Sequence, residues 1–571
     1  MTDLRRNSSN IDRSVRSTLV AAVLTSVAPV IASVVDGIFV SNLVGRDAFS
    51  AISLVLPVIR IVTVLMLICH MGANILASRA IGRGDTGAAR EQFSVAVISS
   101  LIIGVVSCAI TALWPSAIST ALSRDAEISS YIGSYMAVMA FNFPFVAIAS
   151  TLNFFISGEG YPGRTSRIVL ISSLSNIVFD WLFISVLDMG IAGAAWGTVL
   201  SSAINVILHL PFLLSGKSRY RMVRTGRRTG ATLKESLKQG FAFNIINITL
   251  NLFLIFANAL MERHLGSSGY YQWGICIQMQ MFLICVCSGS VSGAVFLGNT
   301  LLGEGDARGV SYVVNRLLVF HVIFYSAVTV LMTAFPGAFT YIFGIRSAGM
   351  AQACRFPFFC FSLYFMGYCF VCAYTNVFQM MGYVKEKIFF IVAFSAVVAL
   401  CIGAGSAVST FWMWLGLPVG AVLVVTASLL FAYGKHRKNP AMTLFTLQYR
   451  RPHSIRINCS VRYDSESEDA LMDKISRFAA ICELTGEETG ELVGICRKLC
   501  SNIRRNTSGA GRYYDFKMSY TPEGIKIISK NTGIPDNPAE GIGVEASYRY
   551  GYGMNITSIQ FVREGRTEPR P

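Results

Sequence analysis

Two aspartates in otherwise apolar segments are the residues of this chain best suited to do chemistry. Asp36 follows the run "VAPVIASVV", and Asp180 follows "SNIVF". Asn176 precedes Asp180 by four residues, so these two side chains share one face of a helix. Inside a membrane a carboxylate costs about 2.5 to 3.5 kcal/mol on insertion scales, so it is expected to face a protein interior and to have a function.

The composition indicates which solvent these acids meet. Of the 571 residues, 53% are hydrophobic and only 14% are charged, which is too apolar for a soluble protein of this length. A net charge of +16 suggests nucleic acid at first sight, but the basic residues lie between apolar segments and not on one domain. We therefore predict a multi-pass protein of the cell membrane, with lipid around it and no nucleic-acid partner.

Apolar stretches of about 20 residues, long enough to cross a bilayer, recur along the first three quarters of the chain. Twelve candidate spans are centred near Pro29, Ile61, Ile103, Val146, Ile177, Ala203, Leu252, Phe282, Ala327, Tyr364, Phe394 and Val424. Basic residues follow every second span, for example Arg79 and Arg83 after span two and Lys385 and Lys387 after span ten. By the positive-inside bias, this alternation predicts that both termini are cytoplasmic.

An internal repeat divides the spans into two groups of six. Matching residues at an offset of 221 are Gly82, Gly84 and Asp85 after span two, and Gly303, Gly305 and Asp306 after span eight. Gly160, after span four, similarly matches Gly382, after span ten. Because six is an even number, both halves enter the membrane from the same side and the repeat is parallel. Such a pair of bundles favours a transporter, although a duplication can also simply build a large helical bundle.

Five segments resemble, in chain order, the sequence patterns of the multidrug and toxic compound extrusion (MATE) family. They are "VVDGIFVSNLVGRDAFSAISLVLPV", "HMGANILASRAIGRGDTGAAR", "FFISGEGYPGR", "SNIVFDWLF" and "MGIAGAAWGTVLSS". The resemblance covers residues 15–437. It implies an all-α polytopic protein with twelve transmembrane helices in two six-helix lobes, which exports organic cations or other amphiphiles in exchange for protons or sodium ions. Neither an enzymatic activity nor a cofactor or bound metal is expected.

The resemblance also implies an ion site in the first lobe. Asp36, Asn176, Asp180 and Thr198 together are similar to the cation site of the DinF-like branch of the family. Burial favours the proton-carrying form of a carboxyl group, and the same oxygens suit a desolvated sodium ion, so both ions stay open. Asn176 and Thr198 also have a structural interpretation, as contacts between packed helices. The second lobe has no intramembrane acids, which departs from the NorM-like branch.

Arg60, in the second predicted span, is a further charged residue at membrane depth. We expect it to pair with an acid such as Asp36, to lie near an irregular turn after Pro57, or to extend toward the interface. If it lines the cavity, it disfavours a purely cationic substrate. Nine methionine and aromatic residues indicate either a deformable apolar surface suited to promiscuous binding or ordinary packing. They are Met279, Met281, Phe356, Phe358, Phe359, Tyr364, Met366, Met380 and Met381.

The composition changes after Lys438, where charged runs replace apolar ones. The predicted regions are a cytoplasmic N-terminus (1–16), the first lobe (17–215), a basic cytoplasmic linker (216–238), the second lobe (239–437) and a soluble cytoplasmic α+β domain (450–571). In the last region we predict helices at 468–482 and 487–506, a hairpin of "YDFKMSY" and "GIKIISK", and a strand near 557–562.

The C-terminal region resembles the histidine-kinase-like ATPase domain, especially its anti-sigma-factor form. That family has a Glu-x-x-x-Asn helix for catalysis and magnesium, an Asp-x-Gly turn for adenine and a Gly-x-Gly turn for phosphates. The matching residues here are Asn502, Gly533, Gly551 and Gly553. Lys498 replaces the glutamate and Asn531 replaces the aspartate. The resemblance therefore implies a degenerate nucleotide site without ATP hydrolysis, which senses a nucleotide or binds a cytoplasmic protein partner.

Two functions stay open from the sequence. The first is a secondary active transporter that exports small organic amphiphiles and carries a regulatory tail. The second is a membrane sensor whose transporter-like half binds a ligand and whose tail acts on a partner. Asp36 and Asp180 favour the transporter, because a sensor has no evident need of an ion relay.

Overall fold

A computed structural model describes most of the helices and strands of the chain. The described residues are 9–123, 125–216, 218–224, 229–342, 348–438, 456–505, 513–521, 524–532, 535–544, 546–552 and 554–561. The chain divides into two compact units, one formed by Leu19–Gln448 and the other by Met1–Thr18 together with Tyr449–Pro571.

The first lobe is built from apolar helices joined by short turns. Its helices are α1 (Ser9–Phe39), α2 (Arg46–Arg83), α3 (Thr86–Leu113), α4 (Pro115–Leu122), α5 (Ala126–Met139), α6 (Asn142–Glu159), α7 (Pro162–Asp180) and α8 (Gly190–Leu214). Two of them continue into π-helical turns, Val40–Val44 after α1 and Trp181–Val186 after α7. Such turns widen a helix locally and are frequent at functional sites.

The second lobe repeats this pattern. Its helices are α9 (Thr229–Gly303), α10 (Ala307–Ala334), α11 (Pro336–Ile342), α12 (Ala348–Ala353), α13 (Arg355–Met380), α14 (Val384–Ser406) and α15 (Thr410–Lys438). The helix α9 contains two membrane spans, Gly230–Met261 and Gln272–Gly303. It begins inside the region predicted as a basic linker (216–238), so the end of that region belongs to a helix.

The count of membrane spans agrees with the sequence prediction. In the described part of the chain, 11 helical segments are long and apolar enough to cross a membrane, and α5 with α6, bent by 52°, make a twelfth if they count as one span. Each of the twelve predicted centres falls inside one of these segments. The chain is therefore a mostly helical, multi-pass membrane protein.

The repeated residues occupy equivalent turns in the two lobes. Gly84 and Gly305 both have a left-handed backbone, with φ of 86° and 68°, which glycine adopts without steric cost. Asp85 and Asp306 follow them as N-caps of α3 and α10. Each carboxylate accepts the backbone N–H three residues on, at 2.9 and 3.0 Å. The sequence repeat is thus a repeat of turn geometry.

Glycines let the two lobes touch along the half of the spans nearer the basic loops, called the basic end below. A Cβ added to Gly82 would lie 2.9 Å from the Cα of Gly303, and one added to Gly240 would lie 1.8 Å from the carbonyl oxygen of Ile68. At such distances the backbones of α2 and α9 leave no room for a side chain.

Arg79 of α2 adds a polar contact to this seam between the lobes. Its Nε donates to Asn299 Oδ1 of α9, and its guanidinium also donates to the backbone carbonyl of Met380 at the end of α13, each at 3.1 Å. The seam therefore joins the lobes through both backbone packing and hydrogen bonds.

The C-terminal region is a small α+β domain. Its elements are β1 (Arg456–Arg462), α16 (Ser465–Ile481), α17 (Gly486–Arg505), β2 (Tyr513–Thr521), β3 (Gly524–Asn531), β4 (Ala546–Gly551) and β5 (Met554–Phe561). The sheet is antiparallel with the order β1-β2-β3-β5-β4. The predicted helices, hairpin and last strand are present, whereas β1 and β4 were not predicted from the sequence.

A hydrophobic core holds this domain together. Apolar residues of α16 and α17, such as Leu471 and Leu499, cluster with Phe516 and Ile527 of the sheet, and all four are fully buried. Asp464 caps α16, since its Oδ1 accepts the Ser467 N–H at 2.7 Å.

The start of α1 packs in the same unit as this domain. Asn10 Nδ2 donates to the Tyr513 carbonyl and Ser14 Oγ donates to the Tyr552 carbonyl, each at 3.1 Å. The predicted division into a separate N-terminal arm (1–16) and C-terminal domain (450–571) does not anticipate these contacts.

Candidate ion site and cavity

A cavity of about 670 Å³ lies between the first lobe and part of the second. Its second-lobe wall consists of Phe243, Asn247, Ser288, Gly289, Ser292 and Phe296 of α9. Hydroxyl and amide side chains are frequent in the first-lobe wall. Asp36 is the one carboxylate among the described lining residues, and no lysine or arginine is among them. The described wall thus presents a single acidic group in neutral surroundings.

Asp36 is held on α1, at the edge of this cavity. Its side chain is buried, and within the described part of the chain its Oδ1 has no hydrogen-bond partner. The π-helical turn that follows α1 begins four residues later. A buried carboxylate oxygen without a partner is costly, so it is a strong acceptor for a cation or a donor hydrogen.

Asp180, the last residue of α7, is fully buried and lies outside the lining of the cavity. Asn176 Nδ2 donates to its Oδ1 at 3.4 Å, a long hydrogen bond. The glycine-rich start of α8 allows this placement, because a Cβ added to Gly197 would lie 2.2 Å from the same oxygen. The second oxygen, Oδ2, has no partner among the described residues.

The two carboxyl groups lie within electrostatic reach of each other. Asp36 and Asp180 interact electrostatically with each other, and both interact with the hydroxyl of Tyr135. Tyr135 is buried on α5 and lines the cavity. Two interacting acids bind protons or other cations as a pair and not independently. Tyr135 was not predicted from the sequence, where its only signal is a polar tip in an apolar helix.

Thr198 and Asn176 line the cavity beside Asp36. The Thr198 hydroxyl donates to the Ala194 carbonyl of its own helix at 3.2 Å. The structure therefore brings Asn176 into contact with Asp180, whereas the hydrogen bond described for Thr198 stays within α8.

The first lobe matches a family model. The model MatE matches residues 21–182, a range that includes Asp36 and Asp180. The multidrug export protein MepA of Staphylococcus aureus (strain NCTC 8325 / PS 47) is 26% identical over 319 residues, which are 54% of this chain and 70% of MepA. MepA of Staphylococcus saprophyticus is 25% identical over 277 residues, 48% of this chain and 61% of that protein.

Solved structures extend the similarity to both lobes. The crystal structure of MATE in complex with MaL6 has a TM-score of 0.67 with this chain at 18% identity, and covers 76% of this chain and 98% of its own. The chain has the MATE fold. A transporter of the MOP superfamily from Pyrococcus furiosus gives the same values. At 18% identity these structural similarities establish the fold, and the sequence matches add a likeness to multidrug export proteins.

The MATE fold places Arg60 away from the expected partner. Arg60 is exposed on α2, which continues through Pro57 without a break. It is not among the described lining residues, and the described ion pairs include none between Arg60 and Asp36. The expected pairing and the irregular turn are therefore wrong, because the continuous helix directs this side chain outward.

The methionine and aromatic residues proposed as a binding surface also lie elsewhere. None of the nine lines the described cavity. Phe358 and Tyr364, for example, are buried on α13, where Tyr364 contacts Phe253 and Phe394. For these two residues packing inside the second lobe is the correct interpretation.

In the C-terminal domain, Asn502 has protein partners. Its Nδ2 donates to the carbonyls of Pro538 and Glu540, at 2.9 and 3.3 Å, so it holds a turn in place. Asn531 ends β3 fully buried, and in the described structure neither of its side-chain polar atoms has a partner. Gly551 ends β4.

Two residues of the expected nucleotide site, Gly533 and Gly553, lie outside the described residues. Within the described residues there is no cluster of three or more histidine, cysteine, aspartate or glutamate side chains that could hold a metal ion.

Proposed function

We propose that this protein is a secondary active transporter that exports amphiphilic organic compounds in antiport with protons or sodium ions. The observation that carries the proposal is the double role of Asp36. Its side chain lines the cavity, and its carboxyl group interacts with that of Asp180 behind the cavity wall. The names of the MepA relatives, multidrug export proteins, agree with export of organic compounds.

A shared carboxylate gives antiport a simple physical basis. A cation bound between Asp36 and Asp180 neutralises the acid that an organic cation in the cavity also needs. Binding of the ion and binding of the substrate therefore disfavour each other, which is a negative coupling between two sites. If the protein turns its cavity from one side of the membrane to the other only when either the ion or the substrate is bound, each movement carries one of them. The protein then exchanges the ion for the substrate.

Substitution of the paired acids tests the proposal in reconstituted vesicles. Asp180→Asn keeps the size and a hydrogen-bonding head but removes the charge, so the protein should fold while uphill export fails. Asp36→Asn should do the same. Asp188→Asn is a matched control, because Asp188 is exposed and its φ of 48° suits asparagine.

The driving ion is identified by imposing a pH gradient and a sodium gradient separately. One of the two should drive dye accumulation in the wild type and in Asp188→Asn. Asp180→Asn protein that is well expressed and still transports uphill at the wild-type rate, with the same ion dependence, would show that Asp180 does not carry the exchanged ion.

We also assign the chain to the DinF-like branch of the family. The support is the location of the acids, since Asp36 and Asp180 are both in the first lobe. The second-lobe wall of the described cavity contains no carboxylate. Coupling through the second lobe, as in the NorM-like branch, has no candidate acid at this wall.

For the C-terminal domain we propose a regulatory function as a degenerate relative of the histidine-kinase-like ATPases. One support is its mixed α+β architecture. The other is that the Asn502 side chain, expected to bind magnesium, is already hydrogen-bonded to backbone carbonyls. The full-length protein should show no magnesium-dependent ATP turnover. Turnover that disappears in Asn502→Ala would contradict this.

A further inference from the structure

Lys387 is a buried basic residue of the second lobe, although the sequence places it in a loop after span ten. It lies in the first turns of α14 and is 0% exposed. Its Nζ donates to Asn376 Oδ1 at 2.8 Å and to Gln379 Oε1 at 2.5 Å, both on α13. Two amide oxygens suit the ammonium form but supply no negative charge.

A directed chain of hydrogen bonds links this lysine to a distant acid. Gln379 accepts from Lys387 and donates through Nε2 to Gln239 Oε1 at 3.1 Å. Gln239 in turn donates to Glu235 Oε1 at 2.9 Å. Every amide in the chain points its oxygen toward Lys387 and its N–H toward Glu235. The aligned amide dipoles therefore connect the buried amino group to the carboxylate of Glu235, whose side chain is 46% exposed.

An aromatic ring separates Lys387 from the cavity. Its Nζ lies 4.9 Å from the centroid of the Phe243 ring, within the range of a cation–π contact. Phe243 also lines the cavity, on the wall formed by α9. The first-lobe part of the described lining carries Asp36. The cavity thus has a carboxylate on its first-lobe side and a lysine directly behind one ring on its second-lobe side.

We propose that Lys387 determines the charge selectivity of the cavity, so that zwitterionic amphiphiles are preferred over purely cationic ones. A zwitterion places its cationic group toward Asp36 and its anionic group toward Phe243, where the field of Lys387 is positive. The inference rests on the proposed export of amphiphilic organic compounds. The second lobe has no carboxylate at the described cavity wall. Lys387 gives it a positive electrostatic function, opposite in sign to that of Asp36 in the first lobe.

Two dyes that differ by one carboxylate provide the test on the purified full-length protein. Rhodamine B is a zwitterion, and its ethyl ester is a cation with the same ring system. Their dissociation constants are measured by fluorescence anisotropy for the wild type, Lys387→Met and Lys385→Met. Lys385 is exposed two residues earlier and serves as the matched control.

The ratio of the two dissociation constants is the decisive quantity. Lys387→Met should weaken binding of rhodamine B relative to its ethyl ester by roughly tenfold. This is the effect expected for the charges of Lys387 and the dye carboxylate about 10 Å apart at an effective dielectric constant near 20. Lys385→Met should leave the ratio unchanged. Equal changes for both dyes, or none, would overturn the proposal, because a structural role alone does not distinguish the two ligands.

Glu235→Gln keeps the proposal testable if Lys387→Met does not fold. It removes the negative end of the chain at a half-exposed position, so it should strengthen the preference for rhodamine B. An unchanged ratio would overturn the proposal. Selective binding of rhodamine B without uphill transport in vesicles would support the role of Lys387 while contradicting the proposed export function.

Discussion

Gly240 is a position where a single added carbon should have a large effect on the contact between the lobes. In Gly240→Ala, the new Cβ would lie 1.8 Å from the Ile68 carbonyl oxygen and 2.7 Å from its carbon. These are backbone atoms, so no side-chain rotation relieves the clash. Gly72, which faces the same helix, has a reciprocal contact with the Ser236 carbonyl oxygen at 1.8 Å.

The size of the effect follows from the distances. Carbon and oxygen approach to about 3.3 Å in close packing, so α2 and α9 must separate by roughly 1.5 Å at this point. Overpacking of this kind costs about 1 to 3 kcal/mol. A free energy of that size changes the ratio of two conformations by roughly 5- to 150-fold. We therefore expect the state with the basic end closed to become much less populated.

Distance measurements between spin labels test this expectation. Labels at Arg83→Cys and Arg308→Cys, both exposed at the basic ends of the two lobes, report their separation. The background lacks the half-buried native cysteines, Cys108, Cys285 and Cys401. Gly240→Ala should shift the distribution to longer distances and slow transport. Gly403→Ala is the control, because a Cβ there meets no atom within 4 Å.

If Gly240→Ala gives the same distance distribution and transport rate as Gly403→Ala, the backbone contact does not limit closure of the lobes at this end. A shift in both variants would instead indicate a general effect of replacing glycine in a helix.

Three further predictions concern the ion site, the C-terminal domain and the topology. Gly197→Ala places a methyl group 2.2 Å from Asp180 Oδ1, so displacement of the carboxylate should lower coupled transport by roughly 100-fold, and a wild-type rate would contradict this. Asp464→Ala removes the cap of α16 and should lower its local stability by about 1 kcal/mol, measured by amide hydrogen exchange in the full-length protein at neutral pH. Hydrogen bonding to a backbone N–H of α16 holds the pKa of Asp464 below its ordinary value. The stabilisation is therefore complete well above a pH of about 4 and is lost as the pH falls through the lowered pKa, where variant and wild type should converge. Cysteines placed at Arg83, Arg221 and Ser465, which are predicted to be cytoplasmic, should react with labelling probes only from the cytoplasmic side. Reaction of any one of them only from outside would contradict the predicted topology.

The sequence by itself determined the number and positions of the membrane spans. The thickness of the bilayer requires about 20 apolar residues for each span, and this length is visible in one dimension. The sequence also determined the repeat of the two lobes. A helix that ends in a left-handed turn favours glycine at that position, and Gly84 and Gly305 mark two such turns. In the C-terminal domain, the two helices and the hairpin were evident from their apolar patterns and turn residues.

The C-terminal strands β1 and β4 show where such local patterns fail. Both are edge strands of the sheet, and each pairs with only one neighbour. In β1 the alternating Ile457, Cys459 and Val461 are nevertheless all buried in the core of the domain, so its pattern was present in the sequence and was not recognised. Both strands were recognised through their pairing with β2 and β5.

Only the tertiary structure decided which polar residues share a site. Asp36 and Asp180 are separated by most of a lobe in sequence, and Tyr135 joins them through a third helix. Arg60 and Lys387 both carry a charge near an apolar segment, yet one is exposed and the other is enclosed by α9, α13 and α14. Periodicity and charge identify a helix and its polar positions, but the direction that each position faces depends on which helices pack around it.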